Sequence, residues 1–272
     1  MGTENDVAQK LLQIFQIPYE SCILSNCNKV VVDTFKECLD SMVRDIQDEA
    51  LLLKIDSVLD YLHDTLNTGH WSEVPLNTRQ GFSNASFVKA LIVIRHYKKS
   101  WKEALREGLK CLDLGLLLGA PSENLTRCAE LLRLEINKVD VDQTIVRPSI
   151  KRKCNDEDYK LTLLDLPGSS VPEVEVPSIE AFNNYYFLPQ VPGILKNCMS
   201  HWPALTKWQD LGYLLRVAGE RTVPVEIGSN YMDQNWSQKL MTVNEYIKKF
   251  YLSETGQIGY LAQHNLFDQF KL

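Results

Sequence analysis

Histidine and cysteine are the side chains best suited to chemistry in this 272-residue chain, but their spacing forms no familiar catalytic or metal-binding motif. None of the five histidines begins a His-x-Asp, His-x-Glu or His-Glu-x-x-His sequence, the spacings that place two metal ligands on one face (His63, His70, His96, His201 and His264). The seven cysteines include no Cys-x-x-Cys pair, which indicates reduced and buried thiols of a cytosolic or nuclear protein. The chain also lacks a glycine-rich phosphate loop and a Gly-x-Ser-x-Gly elbow. Residue types alone therefore indicate only a soluble two-domain intracellular protein.

Composition and charge exclude several classes of protein. Hydrophobic residues at 44% and charged residues at 24% are typical of a globular chain and exclude global disorder. The net charge of −6 argues against a nucleic-acid platform, and no apolar run is long enough to predict a membrane span. The polar, acidic N-terminus argues against a signal peptide. We expect nuclear or cytoplasmic residence, with neither nucleic acid nor membrane as a direct partner.

The elements needed to position any site differ between the two halves of the chain. Up to residue 140, apolar residues recur with helical spacing in five stretches, at Val31–Met42, Leu51–Leu66, Phe87–Tyr97, Ala104–Leu112 and Leu125–Leu132. Asn67-Thr68-Gly69 is a helix stop, and Ser122 can cap the last helix after the break at Gly119-Ala120-Pro121. The pattern predicts a helical, helical-repeat-like domain over 1–140 that docks protein partners or forms oligomers.

Residues 141–176 are predicted to be a linker, because their charges and prolines cannot build a core. The basic cluster Lys151-Arg152-Lys153 within it is either part of a nuclear signal or a solvated charge cluster.

Residues 177–272 have a mixed pattern, so the whole chain is predicted to be α+β. Short helices are expected after Ser178, around Tyr213 and after Thr242, where Glu245 completes a capping box. Strands are expected at Gly193–Lys196, Thr222–Ile227 and Ile258–His264, with Pro224 placing the second at a sheet edge or strand start. Three tryptophans are predicted to be core residues (Trp202, Trp208 and Trp236).

Several segments of this second half form recognisable motifs. They are His201-Trp202-Pro203-Ala204 with Lys207-Trp208, Arg221 to Ser229 with Tyr231, Trp236-Ser237-Gln238 with Leu240 to Glu245, and Gly259 to His264 with Leu266 to Gln269. Together these segments closely resemble the Jumonji-C (JmjC) family of oxygenases. A looser resemblance in the first half rests on Leu66 to Trp71 and on Cys111 to Ala120. The resemblance extends from about residue 177 to residue 269.

The resemblance implies an iron(II)- and 2-oxoglutarate-dependent oxygenase on a double-stranded β-helix, associated with arginyl hydroxylation and histone lysine demethylation. In this family two histidines and one carboxylate hold the metal on later strands, together with a cosubstrate lysine, and we expect these to lie beyond Leu272. The chain is therefore expected to hold an incomplete JmjC domain, with neither cofactor bound tightly. No catalytic residue or metal ligand is assigned.

Four residues match site positions of the family. The match implies that Tyr260 donates to the distal carboxylate of 2-oxoglutarate and that Gln263 lines the same pocket. It implies that Glu226 and Tyr231 line the pocket for an arginyl substrate, through an ion pair and a cation–π contact. Without the resemblance, Tyr260 is a half-buried strand aromatic and Glu226 a solvated carboxylate. His264 is interpreted as an ordinary surface or core histidine.

Two functions remain open from the sequence. The first is a JmjC oxygenase acting on an arginyl or lysyl side chain of a protein substrate. The second is a non-catalytic interaction or regulatory form acting through protein partners of the helical domain.

Overall fold

Helices account for most of the first half of the protein. A computed structural model describes residues 2–15, 27–46, 48–96, 100–140, 168–228, 236–253, 258–261 and 263–269. Six helices lie in the described residues before residue 141: α1 (Gly2–Ile14), α2 (Lys29–Val43), α3 (Leu51–Leu66), α4 (Leu76–His96), α5 (Trp101–Leu118) and α6 (Glu123–Asp140). A 3₁₀ turn, Trp71–Glu73, precedes α4. The five predicted helices are confirmed, whereas α1 was not predicted.

Local signals in the sequence explain where these helices begin and end. The Ser122 hydroxyl accepts from the Leu125 amide at the start of α6, as predicted. Gly69, after α3, has a φ of +82°, the left-handed conformation that glycine adopts at low cost. At the start of α5, Ser100 and Glu103 form a capping box that the sequence analysis did not identify.

The main core lies among these helices. Consecutive helices pack against each other from α2 to α6, and α1 packs against α4 and α6. Helix α4 is buried on several sides, so its apolar residues follow no single stripe. Helices α4 and α5 approach closely at Gly115, where an added Cβ would lie 2.8 Å from the Ser86 Cβ.

The second half contains short strands and short helices. These are β1 (Glu173–Glu175), α7 (Ile179–Phe182) continued by a π-helical turn (Asn183–Phe187), β2 (Ile194–Lys196), α8 (Ala204–Lys207) and α9 (Leu211–Ala218). They are followed by β3 (Thr222–Ile227), β4 (Ser237–Thr242), α10 (Val243–Tyr246) continued by a π-helical turn (Ile247–Tyr251), β5 (Gly259–Tyr260) and α11 (Leu266–Gln269). The capping residue Ser178 and the Thr242–Glu245 capping box are confirmed.

Contacts divide the chain into two compact units, Met1–Thr144 with Leu215–Leu272 and Ile145–Leu214. In the second unit, β1 and β2 form a two-stranded parallel sheet, and β1 lies within the range predicted to be linker. In the first unit, β3 is the central strand of a three-stranded antiparallel sheet of order β4-β3-β5. The predicted domains, 1–140 and 177–272 joined by 141–176, stay a prediction.

The central place of β3 corrects the prediction that Pro224 marks an edge or a strand start. Strand β3 pairs with β4 along all six residues but with β5 only at Glu226 and Ile227. The Gly228 amide donates to the Ile258 carbonyl, so amides of alternate residues, including position 224, face the β5 side. Pro224 lies outside the part of β3 that β5 covers, and its missing N–H interrupts no described ladder bond.

The predicted burial of three tryptophans is wrong. Trp202 is 50% exposed, Trp208 47% and Trp236 37%. Trp202 and Trp208 lie in the stretch from 168 to 214, in which no described residue is buried. Trp236 comes directly before β4, which lies at the edge of its described sheet.

Five cysteines lie among the described residues, and all are free thiols. Burial raises the pKa of Cys38 to about 11 and the pKa of Cys111 and Cys128 to about 12. These three thiols are therefore protonated and poorly nucleophilic at neutral pH. Among the helices that the structure describes, none combines the length and apolar character that crossing a membrane requires.

Candidate functional site

Strand β3 brings two of the four predicted site residues together. Its side chains alternate between two faces, with Val223, Val225 and Ile227 buried on one face. Glu226 points to the other face, where it lies opposite Gln238 of β4 and Tyr260 of β5. Directly paired residues of an antiparallel sheet have Cβ atoms roughly 5 Å apart and share a face. Glu226 and Tyr260 are therefore neighbours, although 34 positions separate them in the chain.

The pair offers one donor and one acceptor to a ligand. Tyr260 is 59% exposed, and Glu226 is partly buried. A phenol can donate a hydrogen bond to a carboxylate, and a carboxylate can accept two from a guanidinium. The arrangement can bind an acidic and a basic group side by side.

The other two predicted residues are placed differently. Gln263 is exposed and has a φ of +55°, in a turn that follows β5. Tyr231 lies outside the described residues, so its predicted role stays a prediction.

Tyr246 supports β5 next to Tyr260. Its hydroxyl donates to the carbonyl of Gly259 over 3.3 Å. Burial raises the pKa of Tyr246, so the phenol stays protonated and remains a donor. Helical spacing alone identifies Tyr246 only as a residue of the predicted helix after Thr242.

The most buried polar contact of this region joins the sheet to helix α5. Asp113 Oδ1 accepts from Arg221 Nε at 2.9 Å and from Arg221 Nη2 at 2.6 Å, and both side chains are fully buried. Asp113 Oδ2 accepts from the amide of Thr222, the first residue of β3, at 2.7 Å. Both carboxylate oxygens are thus used, which a buried charge requires.

Sequence reasoning missed this contact, although one signal for it exists. Asp113 is the single acid in the apolar run from Cys111 to Leu118, which is the last part of helix α5. A charge in such a run is rarely buried without a partner. The sequence does not reveal which of its many cations is that partner.

Gln269 extends the network toward the segment after β5. Arg221 Nη1 donates to the Gln269 carbonyl at 2.8 Å, and Gln269 Nε2 donates to the Thr222 carbonyl at 2.8 Å. Gln269 Oε1 is then left to accept from His264 Nε2, 2.8 Å away, so that nitrogen carries the proton. His264 is half-buried and has a structural role, in line with its interpretation as an ordinary histidine.

The described residues do not fit an iron centre of the kind that the resemblance implies. Within them, no three or more His, Cys, Asp or Glu side chains are grouped so that they could hold a metal ion. The Glu226–Tyr260 pair offers 2-oxoglutarate a single phenolic donor, and a cationic group bound to Glu226 would offset the repulsion between that carboxylate and 2-oxoglutarate. We therefore derive no reaction step through either group.

The chain is similar to several curated proteins. It is 31% identical over 287 residues to lysine-specific demethylase 8 of Xenopus tropicalis, covering 88% of this chain and 63% of that protein. It is 35% identical over 222 residues to lysine-specific demethylase 8 of Danio rerio, covering 78% of this chain and 53% of that protein. It is 34% identical over 220 residues to Jumonji C domain-containing protein 5 of Drosophila melanogaster, covering 79% of this chain and 52% of that protein.

The chain thus spans between about half and just under two thirds of the length of these relatives. No protein-family profile matches it.

Proposed function

Since the chain belongs to the JmjC family, we propose that it contributes the cosubstrate and substrate side of a 2-oxoglutarate-dependent oxygenase that acts on a protein side chain. Iron(II) with 2-oxoglutarate would supply the oxidising chemistry. The residues that the structure describes group no three possible metal ligands, so we expect turnover to need groups beyond them.

The observation that supports this proposal best is the pairing of Glu226 with Tyr260. An oxygenase must hold its cosubstrate next to the side chain that it oxidises. Tyr260 donates to a carboxylate of 2-oxoglutarate, and Glu226 pairs with a cationic side chain of the substrate. Strand register holds these two groups roughly 5 Å apart at their Cβ atoms.

We further propose an arginyl side chain as the substrate, because a carboxylate matches a guanidinium in a two-point contact. The relatives named lysine-specific demethylase make a methylated lysine the competing substrate. A methylated ammonium lacks the parallel N–H donors of a guanidinium. Affinity for an arginyl peptide over a methyl-lysyl peptide of the same sequence separates the two.

Ligand-observed NMR on the full chain tests the cosubstrate half of the proposal at millimolar 2-oxoglutarate. Tyr260→Phe removes one hydrogen bond to a charged group, which is expected to weaken binding about tenfold. Tyr185→Phe is the matched control, since that phenol is also well exposed and belongs to the other unit. Equal binding by the Tyr260→Phe protein and the unaltered protein would contradict the role of Tyr260.

Glu226→Gln tests the substrate half, because it keeps the shape of the side chain and removes its charge. Affinity for an arginyl peptide is expected to fall about tenfold. Glu180→Gln is the control, since Glu180 is exposed on α7 in the other unit. Unchanged peptide affinity in Glu226→Gln would contradict the proposed substrate contact.

A second candidate is a non-catalytic interaction or regulatory role through the helical residues. The observation that favours it is the continuous buried core of helices α1 to α6, which makes the helical residues a stable body for docking a partner. Metal analysis of the chain, purified with iron or manganese present, distinguishes the two candidates. Stoichiometric tightly bound metal would overturn the non-catalytic role.

A further inference from the structure

One carboxylate on helix α5 connects to both strands of the Glu226–Tyr260 pair. Asp113 binds the first amide of β3 through Oδ2, at 2.7 Å from Thr222 N. Through Oδ1 it holds Arg221, whose Nη1 binds the Gln269 carbonyl at 2.8 Å. Gln269 is at the end of the segment that follows β5.

The connection to β3 is short and direct. Glu226 lies four residues after Thr222 on the same strand, which corresponds to about 13 Å of extended chain. Strand β3 is fully paired with β4 over this length, so it moves as a unit. Fixing the Thr222 amide therefore fixes the axial position of Glu226.

The connection to β5 runs through the side chains of His264 and Gln269, which follow Tyr260 in the chain. Gln269 binds Thr222 with its side-chain amide and His264 with its side-chain oxygen. Among the described residues, direct pairing of β5 with β3 consists of two residue pairs and the bond from the Gly228 amide to the Ile258 carbonyl. So short a pairing specifies the register of β5 weakly. The bonds that anchor His264 and Gln269 therefore help to hold β5 in register with β3.

We propose that Asp113 is a positioning residue for the Glu226–Tyr260 pair, acting through Arg221, Thr222 and Gln269. The helical residues thereby contribute to the geometry of the site rather than only to partner docking. What the pair binds rests on the proposed function, whereas the anchoring itself does not.

Because the hydrogen-bond network around Asp113 is buried, changing one of its atoms is expected to disrupt it. Asp113 and Arg221 are fully buried, and Thr222 and Gln269 are nearly so, so water cannot easily replace a lost partner. Asp113→Asn keeps the size of the side chain but turns one acceptor into a donor. That donor then faces either the Arg221 guanidinium or the Thr222 amide, both of which are donors themselves.

Amide hydrogen exchange by NMR on the full chain tests the proposal without any ligand. The readout is the exchange rate at Gly228, which bridges β3 and β5, relative to the rates of buried amides in α4. In Asp113→Asn we expect Gly228 to exchange roughly tenfold faster relative to α4. The control is Leu109→Ala, a buried change on the same helix that should accelerate α4 and leave the relative rate of Gly228 unchanged.

An equal acceleration of Gly228 and α4 in Asp113→Asn would overturn the proposal, because it would show only a general loss of stability. Gln269→Ala keeps the experiment decisive if Asp113→Asn fails to fold. It leaves the Asp113–Arg221 pair in place and should accelerate Gly228 while the amides between β3 and β4 keep their rates. An unchanged Gly228 rate in Gln269→Ala would also overturn the proposal.

These outcomes are separate from those of the ligand tests. Loss of 2-oxoglutarate binding in the unaltered protein would remove the proposed function and leave the exchange result intact. A normal exchange pattern in Asp113→Asn would remove the positioning role and leave the ligand result intact.

Discussion

Two regions of this protein use apolar residues in opposite ways. Helices α2 to α6 bury a continuous core, whereas no described residue from 168 to 214 is buried. The second region is not poor in apolar side chains, since Ile179, Tyr185, Phe187 and Leu188 are all more than 60% exposed there. The contrast shows that apolar composition does not by itself predict burial, because burial depends on a facing surface.

The two sheets show the same difference on a smaller scale. Strand β2 contains Ile194 and Leu195, both exposed, and within the described residues its one partner is the three-residue strand β1. Strand β3 contains Val223, Val225 and Ile227, all buried, and pairs with strands on both sides. Contacts group β3 with the helices, and the Asp113–Arg221 pair is the most buried link between them.

The largest expected effect comes from breaking that link. Arg221→Met leaves the Asp113 carboxylate buried without its cation, which is expected to lower the free energy of unfolding by about 3–5 kcal/mol. Chemical denaturation followed by circular dichroism measures the loss. Arg127→Met, at an exposed arginine of α6, is the control and should stay within about 0.5 kcal/mol of the unaltered protein. A loss below about 1 kcal/mol in Arg221→Met would show that the sheet does not depend on this pair.

Truncating one apolar side chain in each region tests the comparison directly. Leu109→Ala in α5 leaves a cavity at a fully buried position and is expected to lower the free energy of unfolding by about 2–5 kcal/mol. Ile194→Ala in β2 removes a side chain that is 47% exposed, so a cost below about 1 kcal/mol is expected. The same denaturation experiment compares them. Equal losses would mean that residues 168–214 are covered in solution.

The two capping boxes provide a smaller test that should not depend on burial. Ser100 caps α5 and Thr242 caps α10, each with a glutamate three residues later. Ser100→Ala and Thr242→Ala are each expected to cost about 1 kcal/mol, because a cap satisfies the helix's own amides. Ser57→Ala is the control, since that exposed hydroxyl only donates to a carbonyl within α3. A cost in one helix and none in the other would contradict a purely local origin.

The smallest expected effect is a pH dependence in the helical region. Burial lowers the pKa of His96, the Arg95 charge adds to this shift, and Asp45 and Asp48 oppose it. The unfolded chain therefore binds the His96 proton more tightly than the folded chain does. Above about pH 6.5 the neutral histidine contributes to the free energy of unfolding, and this contribution is lost as the pH falls below that value. Denaturation at pH 7.5 and 5.5 should show a smaller decrease in His96→Gln than in the unaltered protein. An identical decrease in both proteins would contradict this contribution.

The sequence predicted the local features of the fold well. Apolar spacing located helices α2 to α6, and Ser122, Ser178 and Thr242 marked helix starts that the structure confirms. Helix α1 and strands β1 and β4 were not predicted. The prediction for Pro224 was wrong, because the position of β3 within its sheet depends on how far β5 extends along it.

The candidate site was predictable only in part. Glu226 and Tyr260 were selected through a family resemblance, and their proximity follows from a strand register that no local pattern specifies. Their roles, with those of Gln263 and Tyr231, stay predictions. Asp113 and Arg221 were not selected, since an acid in an apolar run does not reveal which distant cation is its partner.

The sequence by itself determined that helices α2 to α6 lie in the first half, and it placed the end of α3 at Asn67 to Gly69 and the start of α6 after Ser122. Helical spacing and caps act between residues three or four positions apart, so one segment contains all the information. Tertiary structure decided which residues are buried and which are paired. Asp113 and Arg221 are 108 positions apart, and Trp202 is exposed although it is large and apolar. Burial and pairing depend on a partner supplied by a distant part of the chain, and a segment read alone does not contain that partner.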